Sequence, residues 1–316
     1  MPKTRYNNLD NVTTDRSLKQ FRQWREERRR KKKDYSYIIP NLPPQLDFLS
    51  QNREELSITW IGHSTFFIQY EGINIVTDPV WAMRMGFQRR LGTPGMAIGD
   101  IPNVDIILIS HSHYDHMHMA SIRKLYGADT RIIVPAGLGR KMIRKGFKRT
   151  YELKWWDDLQ VGNVKISFVP TQHWTRRTPF DMNTSHWGGY VLEAAEVNDG
   201  QHHQVVYFAG DSGYFRGFAD IGKKYDIDVA LMPIGAYEPE WFMTSQHTTP
   251  EEALQGFVDV NAKVMIPMHY GTFRLADDTA REALDRLEAD RERRNIPSEA
   301  IRILMHGETL RFSGEK

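Results

Sequence analysis

The run His111-Ser112-His113-Tyr114-Asp115-His116-Met117-His118 gathers imidazoles and a carboxylate into one short stretch. Before it stands Val104-Asp105-Ile106-Ile107-Leu108-Ile109-Ser110, apolar and rich in β-branched residues, the pattern of a buried strand. A strand ending in His-x-His-x-Asp-His delivers these side chains to one tight loop. Neutral imidazole nitrogen and carboxylate oxygen are first-choice zinc ligands and also suit iron and manganese. One loop cannot close a metal site, so further ligands are expected downstream, each at the end of its own strand. His173, Asp211 and His269 fit, because each follows an apolar stretch: Val164–Pro170, Val205–Ala209 and Lys263–Pro267. Taken singly, each is as readily a structural residue as a ligand.

The elements that must position these residues are legible from periodicity. Strands are expected at Ile58–Ile61 through Phe66–Tyr70, at Ile73–Thr77 ending in Asp78-Pro79, and at Arg131–Val134, Tyr190–Glu193 and Val229–Pro233. The region Ile301–Phe312 is expected to close the chain as strands around Gly307. Helices are expected at Met119–Tyr126, Ala136–Lys145, Thr249–Val260 with its Thr-Pro-Glu-Glu start, and Ala280–Arg294. A polar segment around Asn198-Asp199-Gly200 joins two strands. Residues 81–103, with Met83, Met85, Phe87 and Met96 among glycines and prolines, read as a mobile loop with apolar tips. His63, alone in its turn, reads as a structural hydrogen-bonder.

Composition narrows the classes. A chain of 316 residues can bury a sizeable core as one large or two ordinary domains. Its 42 Lys+Arg nearly balance 40 Asp+Glu, which argues against nucleic acid as the main partner. The absence of cysteine removes disulfides, thiolate ligands and a cysteine nucleophile. With no membrane-spanning run and no signal-like N-terminus, a cytoplasmic protein is expected. A homo-oligomer is compatible with all of this.

The N-terminal 45 residues are expected as a basic extension with a Pro-rich linker (Ile39 to Pro44), ahead of a catalytic domain over 46–316. Residues 1–14 are polar and expected to be disordered or loosely docked. Asp15–Lys33 reads as a helix capped by Thr14 or Asp15, with the stripe Leu18, Phe21, Trp24 and the run Arg28-Arg29-Arg30-Lys31-Lys32-Lys33. Such a segment packs its stripe on the domain, lies on an anionic membrane at its inner face or, as a third reading, binds nucleic acid.

His-x-His-x-Asp-His followed by His173, Asp211 and His269 resembles the signature of the metallo-β-lactamase-fold hydrolases over roughly 57–312. The resemblance implies an α/β fold, an αββα sandwich of two mixed β-sheets with the metals at one edge. It implies two divalent ions, zinc by preference, with iron or manganese as alternatives. One takes His111, His113 and His173, the other Asp115, His116 and His269, and Asp211 bridges. It also implies a hydroxide shared between the ions, with Asp115 orienting it or moving its proton.

Longer stretches narrow the branch: Phe208-Ala209-Gly210-Asp211-Ser212-Gly213-Tyr214, Pro233 to Met243 with Gln246-His247, and His269-Tyr270-Gly271-Thr272-Phe273. They resemble the N-acyl-phosphatidylethanolamine-hydrolysing phospholipases D and their bacterial relatives. The implied reaction is hydrolysis of a phospholipid phosphodiester, with Tyr114 and His247 contacting the head group. Arg176 and Arg177 are candidate phosphate clamps through bidentate pairing. Trp174, Phe180, Trp187, Trp241, Phe242 and Met243 are candidates for an acyl groove. Two alternatives stay open: a lactonase or small or cyclic phosphodiester hydrolase of the same fold, and a non-catalytic metal-binding regulatory or membrane-associated protein.

Overall fold

The protein is described by a computed structural model covering residues 4–14, 16–195 and 203–312. The segment around Asn198-Asp199-Gly200 and the cap option Asp15 lie outside these residues. In chain order, α1 (Leu18–Arg30) and α2 (Leu46–Gln51) precede β1 (Leu56–Gly62), β2 (Thr65–Tyr70) and β3 (Ile73–Thr77). A small hairpin, β4 (Arg84–Met85) and β5 (Gln88–Arg89), leads to β6 (Ile106–Leu108), α3 (Met119–Leu125), β7 (Arg131–Pro135), α4 (Gly139–Arg144) and β8 (Thr150–Leu153). Next come β9 (Asp158–Val161), β10 (Val164–Val169), β11 (Gly189–Ala194), β12 (Val206–Phe208), α5 (Gly217–Lys224) and β13 (Val229–Pro233). The chain closes with α6 (Glu240–Met243), α7 (Pro250–Asp259), β14 (Val264–Met268), α8 (Ala280–Arg293) and β15 (Thr309–Phe312).

Two mixed sheets form, in the orders β15-β1-β2-β3-β6-β7-β8 and β14-β13-β12-β11-β10-β9. Strand alternation distributes their side chains. Ile106 and Leu108 face the core shared with Phe168, Tyr190, Leu192 and Leu231 of the second sheet. Ile107 and Ile109 face the opposite way and pack with Ile122, Leu125, Met142 and Phe147 around α3 and α4. Phe218, Leu254, Phe257 and Leu287 of α5, α7 and α8 join the core from the second sheet's side. The architecture is the expected αββα sandwich. No helix among the described residues is long and apolar enough to cross a membrane.

The N-terminal stretch is docked on this body, not loosely tethered. Ser17, not Thr14, caps α1 through a capping box with Gln20. Trp24 stacks on Phe242 at 5.2 Å, Phe21 meets the same ring edge-on at 5.1 Å, and Trp24 Nε1 donates to Asp277. Much of the basic run is paired within the fold: Arg28 with Asp277, Lys31 with Glu238, and Lys33 with Glu238 and Glu282. Ile39, expected in a linker, is buried in the core. Of the apolar tips expected in 81–103, Met83 and Phe87 are exposed, whereas Met96 is buried.

Candidate metal centre

One edge of the sandwich collects the C-terminal ends of β3, β6, β10, β12 and β14. Asp78, the His111–His116 loop, His173, Asp211 and His269 follow those strands in turn. Gly210, at φ 63, brings Asp211 against the histidine loop; a Cβ there would come within 2.8 Å of the Ser110 Cβ.

Two groups of ligand atoms result. In the first, His111 Nε2 and His173 Nε2 lie 2.8 and 3.2 Å from His113 Nδ1. In the second, His63, His116 and His269 converge on Asp115 Oδ2 at 3.0, 3.3 and 3.6 Å. Asp211 Oδ2 stands between them. It is 3.1 Å from Nε2 of both His116 and His269, 3.9 Å from His111 Nε2 and 3.8 Å from His173 Nε2. Ligand nitrogens about 2.05 Å from a tetrahedral zinc lie ~3.3 Å apart, so this spacing is that of donors around an ion.

Surrounding hydrogen bonds fix which nitrogen each ring presents. His116 Nδ1 meets Asp78 Oδ2 at 2.7 Å, and Asp78 accepts in turn from the Ser110 N–H and hydroxyl. Ser110 Oγ also lies 2.8 Å from His111 Nδ1, and His173 Nδ1 meets the Gln246 carbonyl at 2.9 Å. Each contact frees Nε2 for the centre. The main chain of His173 is held as well, by Asn8, whose amide donates to its carbonyl (2.9 Å) and whose oxygen accepts from its N–H (3.0 Å).

The electrostatics fit a divalent cation. Burial, with repulsion from neighbouring imidazoles, drives His63 and His113 down to about 3 and His173 to about 4, so they stay in the neutral, ligating form. His116 and His269 go the other way. Burial opposes their charge, but Asp211 and Asp115 outweigh it, lifting His116 well above the usual range and His269 to about 9. The two carboxylates, though buried, are held well below the usual range by His116 and its neighbours. The centre therefore carries two anions that demand positive charge, met by protons when no cation is bound. Asp211 Oδ1 and His113 Nε2 are buried without a hydrogen-bond partner. Several overlapping His/Asp groups are thus able to hold metal.

An open pocket of about 400 Å³ leads to the centre, lined by Met85, Tyr114, Asp115, Trp174, Met243 and His247 among others. His247 Nδ1 is 3.9 Å from Asp211 Oδ2. Tyr114 donates its hydroxyl to the Arg177 carbonyl, and its ring lies 4.0 Å beneath the Arg177 guanidinium. Arg177 braces the loop: its Nη1 donates to the carbonyls of Ser112 and Met117. Arg176 is exposed, and neither arginine lines the pocket. Trp187 is fully buried and Phe242 packs under α1, so of the six aromatic and Met candidates only Trp174 and Met243 reach the cavity. His63 does form the expected hydrogen bond, but its partner is Asp115, inside the centre.

The chain matches the β-lactamase superfamily domain over residues 73–270. An uncharacterized protein of Mycobacterium tuberculosis is 34% identical over 253 residues, covering 76% of this chain and 65% of that one. The N-acyl-phosphatidylethanolamine-hydrolyzing phospholipase D 1 of Caenorhabditis elegans is 36% identical over 245 residues, covering 72% and 66%. The chain thus spans just under two thirds of these relatives. Among solved structures, Igni18, a metallo hydrolase from Ignicoccus hospitalis, superposes with a TM-score of 0.62 at 22% identity, over 83% of this chain and all of that one, a likeness of fold. Sheet order, the His/Asp edge and the matched domain agree: the chain belongs to the β-lactamase superfamily and has the metallo-β-lactamase fold.

Proposed function

We propose that the protein is a two-metal, zinc-dependent phosphodiesterase of the phospholipase D type, acting on a phospholipid such as N-acyl-phosphatidylethanolamine. The observation that carries this reading is the position of Asp211 Oδ2, within 3.9 Å of ligand nitrogens from both histidine groups. The apolar walls of the pocket, Met85, Trp174, Met243 and Leu275, and the named activity of the nematode relative support a lipid.

When bound, divalent ions supply Lewis acidity toward phosphoryl oxygens and a nucleophile at neutral pH. The chain's own residues do the rest. Asp115 lines the pocket while His63 holds its Oδ2. Its low pKa suits it to orienting a water by accepting a hydrogen bond more than to keeping that water's proton. Burial keeps His247 neutral, so its N–H can donate to a phosphoryl or amide oxygen without a charge of its own. Trp174 and Met243 exclude water beside it.

Zinc-loaded protein incubated with N-acyl-phosphatidylethanolamine vesicles should release N-acylethanolamine and phosphatidic acid, read by mass spectrometry. Asp211→Asn and His113→Ala should lose this turnover while staying folded. Intact lipid with metal bound would overturn the phospholipase reading and leave a lactone or smaller phosphodiester as the substrate to seek.

A further inference from the structure

Two loops that contribute to the pocket lining, the first through Met85, Gly86 and Gln88 and the second through Trp174, carry exposed apolar side chains with cations near them in the chain. The hairpin β4–β5 turns through Gly86-Phe87, with Gly86 at φ 56 as a two-residue turn requires. Phe87 at its tip is fully exposed, and Met83 before it is exposed too. Arg84 and Arg89 stand directly opposite each other across the two strands, both exposed. Neither has a carboxylate partner among the described residues. Like charges directly opposed destabilise a hairpin, and strands this short have no core to compensate. An external anion would relieve the repulsion. The hairpin is nevertheless rooted: buried Arg90 donates to the carbonyls of Val80 and Ile61.

The loop after His173, which reaches the pocket through Trp174 and the Tyr114–Arg177 hydrogen bond, has the same construction. Phe180 is 83% exposed at its tip and Arg176 is exposed nearby. This loop is also held firmly, since Asp181 accepts from the backbone N–H groups of Arg177 and Thr178. Two braced loops that line one pocket each present an exposed phenylalanine with an arginine that has no carboxylate partner among the described residues. By contrast, Arg28, Lys31 and Lys33 of the N-terminal run are paired inside the fold.

We infer that these two loops form a docking surface for an anionic lipid bilayer. Phe87 and Phe180 enter the headgroup–acyl boundary, and Arg84, Arg89 and Arg176 meet lipid phosphates. Isolated apolar tips on loops that line a pocket suit a deformable lipid surface, whereas a nucleic acid needs a continuous basic track. Docking would set the mouth of the pocket on the membrane, and in that respect the inference rests on the phospholipid reading.

The test is co-sedimentation with vesicles that contain no N-acyl lipid. One set is phosphatidylcholine alone and the other phosphatidylcholine with phosphatidylglycerol. Wild type should bind the anionic set preferentially, and added salt should weaken binding. Phe87→Ala/Phe180→Ala and Arg84→Glu/Arg89→Glu should each lower binding about tenfold or more, with metal content and melting temperature unchanged. Wild type that ignores both vesicle sets, variants that bind as wild type does, or single-stranded DNA binding lost in the same variants would each overturn the docking surface. Failure to hydrolyse N-acyl-phosphatidylethanolamine with vesicle binding intact would instead remove only the substrate reading.

Discussion

Asn8 grips both polar groups of His173's main chain and also accepts from Trp187 Nε1, although it lies far from the metal loops in sequence. Its replacement by alanine leaves the buried His173 N–H and carbonyl without their partner, while Trp187 Nε1 keeps the Thr171 carbonyl, a loss on the order of 2–3 kcal/mol. It also frees His173 to drift from His113. Asn8→Ala should therefore weaken metal binding at the His111–His113–His173 group, read from the absorption spectrum of cobalt-loaded protein. An unaltered spectrum would reduce Asn8 to a packing residue. Asp78 acts one step behind His116. In Asp78→Asn the amide oxygen must face the Ser110 N–H, so the NH2 faces His116 Nδ1. That forces the proton onto Nε2, the ligand atom. Metal affinity should fall about 10–100-fold in a chelator competition, at little cost to folding. These two residues also mark where the sequence is silent. The histidine loop announces itself by density of ligand types, but Asp78 reads as a strand end before proline and Asn8 as one polar residue in a polar stretch. His63 gave the same difficulty, since a lone histidine's partner is set by tertiary contact.

At the scale of elements, strands that are buried on both faces were readable because they are continuous apolar runs bounded by Gly, Pro or polar residues. β12, β13 and β14 are examples, and the ligands after β12 and β14 came with them. Edge strands β8 and β9 are largely exposed and carry no such pattern, and α5 is short and Gly-interrupted. The apolar stripe of α1 was legible, but not the surface receiving it. That surface is Phe242 of α6, next to Met243 in the pocket wall. Arg16 adds a bond to the Phe242 carbonyl and another to Ser245 Oγ. α1 thus backs the wall that carries Met243 and His247. Trp24→Ala removes the stacking and the Asp277 bond, and should destabilise by roughly 2–3 kcal/mol. Limited proteolysis should then cut after the basic run, near Asp34. Unchanged protease resistance would mean that the salt bridges to Glu238 and Glu282 hold α1 by themselves.

Across the whole molecule, the two sheets meet the centre from opposite sides: Asp115 and His116 follow the first sheet's β6, whereas Asp211 and His269 follow the second sheet's β12 and β14. Two buried anions there must be neutralised for the edge to close. A cation bound to the folded state alone stabilises it by about 4 kcal/mol at a thousandfold excess over its dissociation constant. Chelation should lower the melting temperature accordingly. The pH dependence identifies what substitutes for the metal. His269 is raised from the usual 6.5 to about 9 by Asp211 and Asp115, against its burial. A raised histidine contributes stability that is complete below its unfolded pKa and is lost as pH climbs through the folded one. Metal-free protein should therefore lose stability between about pH 6.5 and 9, on the order of 3 kcal/mol from this group. Zinc-loaded protein should hold its melting temperature across that window, because the cation replaces the protons. Parallel thermal melts of chelated and zinc-loaded protein over that range separate the cases. Two curves that fall together would mean that zinc does not take the place of the histidine protons, and two that stay flat would mean that the carboxylates are balanced by something other than His116 or His269.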